Sequence, residues 1–298
     1  MPRRAIALTG VTLVAFAANS LLCRMALAPR LIDPVAFTVI RLGSGVAILV
    51  PLSALMSEPR PEGRSSGSWR SGLALFVYAM AFSMAYVSLE TGVGALILFG
   101  SVQATMIGAA LWQGERPRRQ EWIGLVVAMA GLVYLVLPGM TAPDPLGALL
   151  MIASGAGWGV YSLRGKGSSA PVAATAGNFA RALALAIAMA IAALFMSWDE
   201  LHTSTRGAAL AVISGSVASG LGYVIWYIAL RGLTATRAAI VQLAVPVIAA
   251  AGGIVVLGEA PSARLAVASM MILGGVGGAI VARDRRALLD PCENSIER

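Results

Sequence analysis

Residues 207–230 read GAALAVISGSVASGLGYVIWYIAL, 24 residues without a single charge. A helix rises about 1.5 Å per residue, so this stretch covers the roughly 30 Å hydrocarbon core of a bilayer. No water reaches that core to satisfy peptide groups, and a continuous helix closes its own hydrogen bonds. The stretch is therefore read as a transmembrane helix, and the rest of the chain repeats its pattern.

Hydrophobic residues make up 58% of the 298-residue chain and charged residues only 12%, against about a quarter charged in ordinary globular domains. Hydropathy predicts ten spans, at 5–23, 34–56, 70–89, 93–113, 121–137, 146–163, 172–196, 207–230, 236–257 and 263–282. The opening MPRRAIALTG is basic before an apolar run, as in a signal peptide, but no small-residue cleavage site follows, and it is read as helix 1. The expected fold is an all-α membrane protein with both termini cytoplasmic.

The net charge of +8 is explained by topology, without nucleic acid. With the N-terminus inside, 16 of the 22 Lys and Arg residues face the cytoplasm. Arg24, Arg30, Arg206 and Arg264 face outward, and Arg41 and Arg181 lie within helices. This asymmetry is the positive-inside signature. The two cysteines, Cys23 and Cys292, sit at a helix end and in the tail, and the sole histidine, His202, lies in a loop beside Asp199 and Glu200. They provide no disulfide framework and no metal cluster, and no cofactor is expected.

The end of the opening stretch, YIAL at 227–230, is echoed by YVSL at 86–89. GERP at 114–117 answers GEAP at 258–261, and DPVA at 33–36 answers APVA at 170–173. Phe16, Asn19, Ser20 and Arg24 share their spacing with Trp158, Tyr161, Ser162 and Lys166. Four matches in one order indicate two five-helix repeats, 1–143 and 144–283, followed by a cytoplasmic tail, 284–298. Five is odd, so the second repeat enters the membrane from the opposite side, and substrate is expected between the halves near the midplane.

Lipid is as apolar as leucine, so membrane helices associate by close packing through small residues. Gly124 with Ala128, Gly252 with Val256, and GGVGG at 274–278 are the expected seams. Pro246, midway along helix 9, removes a hydrogen bond and is expected to kink the helix, as a cavity-shaping bend or a hinge.

Polar and amphipathic groups deep in membrane helices turn toward the bundle interior. At helical spacing these are Tyr78, Phe82 and Tyr86 on helix 3, and Ser219, Tyr223, Trp226 and Tyr227 on helix 8. Phe99 and Gln103 on helix 4, Gln242 on helix 9, Phe16 and Asn19 on helix 1, and Trp158 and Tyr161 on helix 6 complete the candidate pocket. Trp69, Trp112, Trp122 and Trp198 fall at segment ends and are assigned to the interfacial aromatic belt.

Aromatic faces with a few amides and hydroxyls suit a zwitterion with an apolar or aromatic side chain, and equally a lipophilic drug cation. All 14 acidic residues fall in loops, helix ends or the tail, which leaves no midplane carboxylate for a proton relay. Arg41 and Arg181, two or three turns into their helices, are expected to snorkel to the interface, with a substrate carboxylate as the alternative partner. An intramembrane enzyme would need a catalytic constellation that the lone His202 does not supply. No filter motif of a channel is visible.

The ten spans, the doubled unit, the Gly-Glu-x-Pro turns after helices 4 and 9 and the Pro246 helix resemble the drug/metabolite transporter superfamily of the EamA type over residues 5–283. Within it the chain is similar to the YddG-type bacterial amino acid exporters. The resemblance implies export of aromatic and other neutral amino acids by alternating access, from a multi-pass protein of the bacterial inner membrane. A multidrug or other small-metabolite exporter of the same superfamily is the alternative. The resemblance also implies that Trp158, Tyr161, Gln242 and Pro246 belong to the cavity or gate. The chain departs from strict symmetry in one respect, since Val102 stands where the first half would match Pro246. The implied partners are a small-molecule substrate and the lipid bilayer. Oligomeric state is left open, and a monomer is compatible with the sequence.

Overall fold

Acidic and hydroxyl side chains decide where several helices begin. In the computed structural model, Asp33 accepts from the backbone N–H groups of Val35 and Ala36, both at 2.9 Å, with Pro34 at the first helical position. Ser68 and Ser204 cap their helices in the same way, and Asp144 accepts from Gly147 N at 2.6 Å. A carboxylate or hydroxyl there satisfies otherwise unpaired N–H groups and meets the positive end of the helix dipole. Two of the 14 acidic residues, Asp33 and Asp144, thus serve helix starts.

The structure describes residues 3–56, 67–112, 114, 119–137, 142–165, 170–195, 202–230, 242 and 244–289. Their helices are α1 (Arg3–Leu27), α2 (Pro34–Leu55), α3 (Trp69–Ala85), α4 (Thr91–Trp112), α5 (Arg119–Val136), α6 (Pro145–Gly165), α7 (Pro171–Phe195), α8 (Thr205–Ile213), α9 (Gly222–Leu230), α10 (Ala244–Leu257) and α11 (Ala263–Leu289). A π-helical segment, Ser214–Leu221, joins α8 to α9 with helical dihedrals at both junctions, so these three pieces occupy the eighth expected span.

Helices occupy all ten expected places, with differences at the ends. By length and composition alone, six are apolar and long enough to cross a membrane: 7–27, 34–55, 91–109, 145–165, 171–195 and 205–226. Shorter apolar stretches cover 122–135, 244–257 and 263–275. Helix α3 stops at Ala85, and Tyr86 is its C-cap instead of continuing its face. Helix α11 runs to Leu289, so the first residues of the expected 284–298 tail are helical. The expected span 236–257 is described only at 242 and 244–257. The GERP residues 115–117, Lys166, Trp198 and Cys292 lie outside the described residues.

Packing follows the small residues. Helix α5 lies against α11, where a methyl group at Gly275 would fall 2.5 Å from the Gly124 carbonyl oxygen and 2.8 Å from Ala128 N. Two of the small-residue stretches singled out from sequence, Gly124 with Ala128 and the GGVGG run, thus meet each other, with backbones in direct contact. Helix α6 packs on α3 and α4, and α1 packs on the eighth helix and α10. Helix α2 packs on α7 and the π-helical segment, α3 on α7, and α4 on α10. Large apolar side chains such as Ile123, Val126, Leu149, Leu194 and Val255 point outward and are exposed, as on a surface that lipid covers. Trp69, Trp112 and Trp122 are exposed at 61%, 93% and 45%, in keeping with the interfacial belt, while Trp226 is only 8% exposed.

Candidate functional site

Helical spacing brings aromatic rings from five elements to one place. Tyr78 and Phe82 are one turn apart on α3, with ring centroids 5.5 Å apart. Trp158 on α6 lies at their centre, 4.9 Å from Tyr78, 5.0 Å from Tyr223 and 6.4 Å from Phe16. Phe16 on α1 also meets Tyr223 and Trp226 edge-on, each at 5.9 Å. Edge-to-face rings at these distances attract beyond their area burial, so the cluster locks several helices together.

These rings line a cavity whose walls are Phe16, Asn19, Ser20, Tyr78, Phe82, Leu98, Phe99, Trp158, Ala218 and Tyr223. Its volume is about 20 Å³, room for about one water molecule. Seven residues singled out from sequence thus meet around one space. Tyr161 stacks behind Trp158 at 5.5 Å, and Trp226 flanks Phe16. Gln103 is buried one turn beyond Phe99 on α4 and is not on the cavity wall. Gln242 is half-buried, and Pro246 is buried as the third residue of α10; neither reaches the wall. The side chain of Tyr227 lies outside the described residues.

A polar chain runs beside the rings. Ser214 Oγ donates to Asn19 Oδ1 at 2.6 Å, and Asn19 Nδ2 donates to the Tyr78 hydroxyl at 3.4 Å. The same hydroxyl accepts from Arg41 Nη2 at 3.0 Å, and Ser219 Oγ accepts from Arg41 Nε and Nη2 at 3.4 and 3.3 Å. Helices α1, α2 and α3 and the π-helical segment are joined by this chain. Segments with π geometry are rare and recur at functional sites.

Arg41 corrects the sequence expectation. It is only 2% exposed and does not snorkel. Its guanidinium carbon lies 5.3 Å from the Tyr78 ring centre and 5.1 Å from that of Phe82. Because Arg41 faces α3 and the π-helical segment, aromatic faces and hydroxyls take the place of interfacial water. A buried charge of this kind costs at least about 2.5–3.5 kcal/mol on insertion scales. Arg181 does keep to an edge: it is partly exposed, donates to Gly177 O at 2.8 Å and lies 5.8 Å from the Trp69 ring.

At one end of the bundle, Glu259 accepts from Thr91 N at 2.8 and 3.0 Å and from Thr91 Oγ1 at 2.8 Å, capping α4 from a distant turn. Arg24 Nε is 3.7 Å from Glu259, and Arg24 Nη1 donates to the carbonyls of Tyr86 and Val87. Burial, with the charge of Glu259 added to it, raises the carboxyl of Glu90 above its ordinary range, and Arg24 opposes the shift. Sequence reasoning gave Glu259 no role, although the recurrence of Gly-Glu-x-Pro marked its position. At the other end, Ser68 N donates to Asn178 Oδ1 at 2.9 Å and Arg164 Nε to Ser71 Oγ at 3.1 Å.

The sequence profile of the EamA-like transporter family matches residues 3–137 and again 145–281. An uncharacterized protein of Pseudomonas aeruginosa is 48% identical over 285 residues, covering 96% of this chain and 97% of its own length. The uncharacterized transporter YwfM of Bacillus subtilis is 28% identical over 83% of this chain and 85% of its own length. The uncharacterized inner membrane transporter YedA of Escherichia coli K12 is 26% identical over 49% of this chain and 42% of its own length. A crystal structure with 22% sequence identity superposes with a TM-score of 0.63, covering 93% of this chain and 97% of that one. At that identity the likeness is one of fold.

Proposed function

The chain belongs to the EamA-like transporter family, and from that membership we propose that it is a bacterial inner-membrane carrier exporting amino acids, the aromatic and other neutral ones, by alternating access. The observation that carries the reading is the cavity of Phe16, Tyr78, Phe82, Phe99, Trp158 and Tyr223 rings, with Asn19 and Ser20 as its polar groups. Its walls come from α1, α3, α4, α6 and the eighth helix, so both halves contribute. The rings supply apolar surface for a side chain, and the hydroxyl and amide groups orient a zwitterion.

Helix pairing supports two inverted five-helix repeats. Advancing each helix by five turns the α3–α6 contact into that between the eighth helix and α1, and α4–α6 into α10–α1. It turns α3–α7 into the contact between the eighth helix and α2, and it leaves α2–α7, α4–α10 and α5–α11 as they are. The principal contacts survive this exchange, as two ends of like construction would require. When the halves differ in conformation one end stands open, and exchanging those conformations closes it and opens the other. On the positive-inside orientation, Arg24, Glu259 and Thr91 bolt the outer end, and Ser68, Asn178 and Arg164 the inner.

No Asp, Glu or His lines the cavity among the described residues, so the proposed mechanism uses no midplane carboxylate relay. Facilitated export or exchange follows the substrate's own gradient. Reconstitution into vesicles tests the whole reading. Neutral amino acids are expected to move, Trp158→Ala and Tyr78→Ala to reduce the rate at least tenfold, and an imposed proton gradient of either sign to leave the final distribution unchanged. Transport of lipophilic cations that amino acids do not compete with would replace the proposal with a multidrug exporter. Concentration that tracks the proton gradient would remove the uncoupled mechanism.

A further inference from the structure

We propose that Arg41 is the docking group for a carboxylate of the transported solute, an inference that rests on the carrier reading and narrows its substrate class to carboxylates with an apolar or aromatic body. Three observations converge on it. Arg41 is 2% exposed, yet its Nη1 has no hydrogen-bond partner among the described residues. The other two buried atoms in that condition, Asp33 Oδ2 and Arg264 Nη1, belong to residues at helix ends beside loops. Secondly, among the described residues no carboxylate lies within ion-pair distance of Arg41, and the one ion pair they form joins Arg24 to Glu259. Thirdly, the guanidinium stands directly behind Tyr78 and Phe82, two rings of the cavity wall.

A guanidinium presents donors in a planar fork that matches a carboxylate bidentately. Arg41 uses only part of this fork. Its bonds to Ser219 Oγ, at 3.3 and 3.4 Å, are longer than the roughly 2.7–2.9 Å of good charge-assisted pairs. A structural bracket would be expected to engage Nη1 and to pull Ser219 closer. The observed arrangement leaves both N–H groups of Nη1 unused and a positive charge that no carboxylate among the described residues neutralises, which an incoming anion relieves. The cavity of about 20 Å³ must widen to admit any solute. Parting α3 from the π-helical segment widens it at Tyr78, between Arg41 and the space. The carboxylate then takes Nη1 and Nη2, and the apolar body occupies the ring-lined cavity.

Binding of four probes to the full-length protein in nanodiscs tests this: phenylalanine, phenylalanine amide, phenethylamine and phenylacetate, followed by thermal stabilisation and by transport in vesicles. The wild type is expected to bind phenylalanine at least tenfold more tightly than its amide or amine. Arg41→Gln is expected to abolish that ratio, and Arg41→Lys to keep part of it. Equal binding of phenylalanine and its amide by the wild type, or an unchanged ratio in Arg41→Gln, would overturn the assignment and leave the amino acid carrier standing. Binding of phenylacetate without phenylalanine would overturn the amino acid reading and keep Arg41 as the anion site. Should Arg41→Gln fail to fold, the wild-type ratio and its reduction in Arg41→Lys decide the matter.

Discussion

The Tyr78 hydroxyl stands 3.0 Å from Arg41 Nη2 and 3.4 Å from Asn19 Nδ2, so one oxygen on α3 serves both the buried cation on α2 and the amide on α1. Removing it leaves two buried donors without that acceptor. Hydrogen bonds to charged groups contribute about 1.5–3 kcal/mol, and Tyr78→Phe is expected to destabilise the folded protein by about that amount while keeping the ring cluster. Thermal unfolding in detergent, compared with Phe82→Leu as a packing control, measures it; no loss of stability would show the hydroxyl to be incidental.

Gly215 carries a second expectation. A methyl group there would collide with the Arg41 carbonyl oxygen and the Ser44 hydroxyl, and a backbone oxygen has little freedom to give way. Overpacking costs about 1–3 kcal/mol. Gly215→Ala is expected to pay it, and transport should fall because α2 and the π-helical segment separate. Gly108→Ala, with nothing among the described residues within 4 Å of the added methyl, is the control and should be neutral in both assays.

Glu259 ties the start of α4 at Thr91 to the turn after α10, and Cys23 reports on this end of the bundle. The thiol is fully buried one residue before Arg24. In a Cys292→Ser background, a membrane-impermeant maleimide added from outside is expected to label Cys23 very slowly. Glu259→Ala should raise the rate at least tenfold as α4 loses its cap. Unchanged labelling would mean that the Glu259 contacts do not hold this end shut.

Glu90 gives the bundle a pH dependence of definite sign. Its carboxyl is raised above the ordinary value of 4.5, first by burial and then by Glu259. The folded state thus holds its proton more tightly than the unfolded chain, and stability declines as pH rises from about 4.5 through the raised value. Glu90→Gln is expected to remove that decline, so melting temperatures of variant and wild type should diverge on the alkaline side and converge at low pH. Parallel curves would remove Glu90 as the cause.

The places of the ten helices could be read from hydropathy because a bilayer imposes length and apolarity on each segment. The cavity rings were readable for a related reason, since Tyr78, Phe82, Trp158 and Tyr223 are amphipathic groups inside apolar runs. Three things were not readable. The depth of Arg41 depends on which face α2 turns inward, and a long flexible side chain fits either an interface or an interior by sequence alone. The contact of Glu259 with Thr91 joins residues 168 positions apart, where no local pattern applies. The π-helical segment had no signal beyond its small residues, Ser214, Gly215, Ser216 and Gly220.

The tightness of the ring cluster has a consequence for the membrane that hosts it. A protein perforating an energised bilayer threatens to dissipate ion gradients whenever it idles. With space for about one water molecule between Phe16, Tyr78, Trp158 and Tyr223, this cavity holds no continuous water file. On the proposed carrier reading, such an aromatic plug would keep the cell's electrochemical potential from leaking away between cargoes.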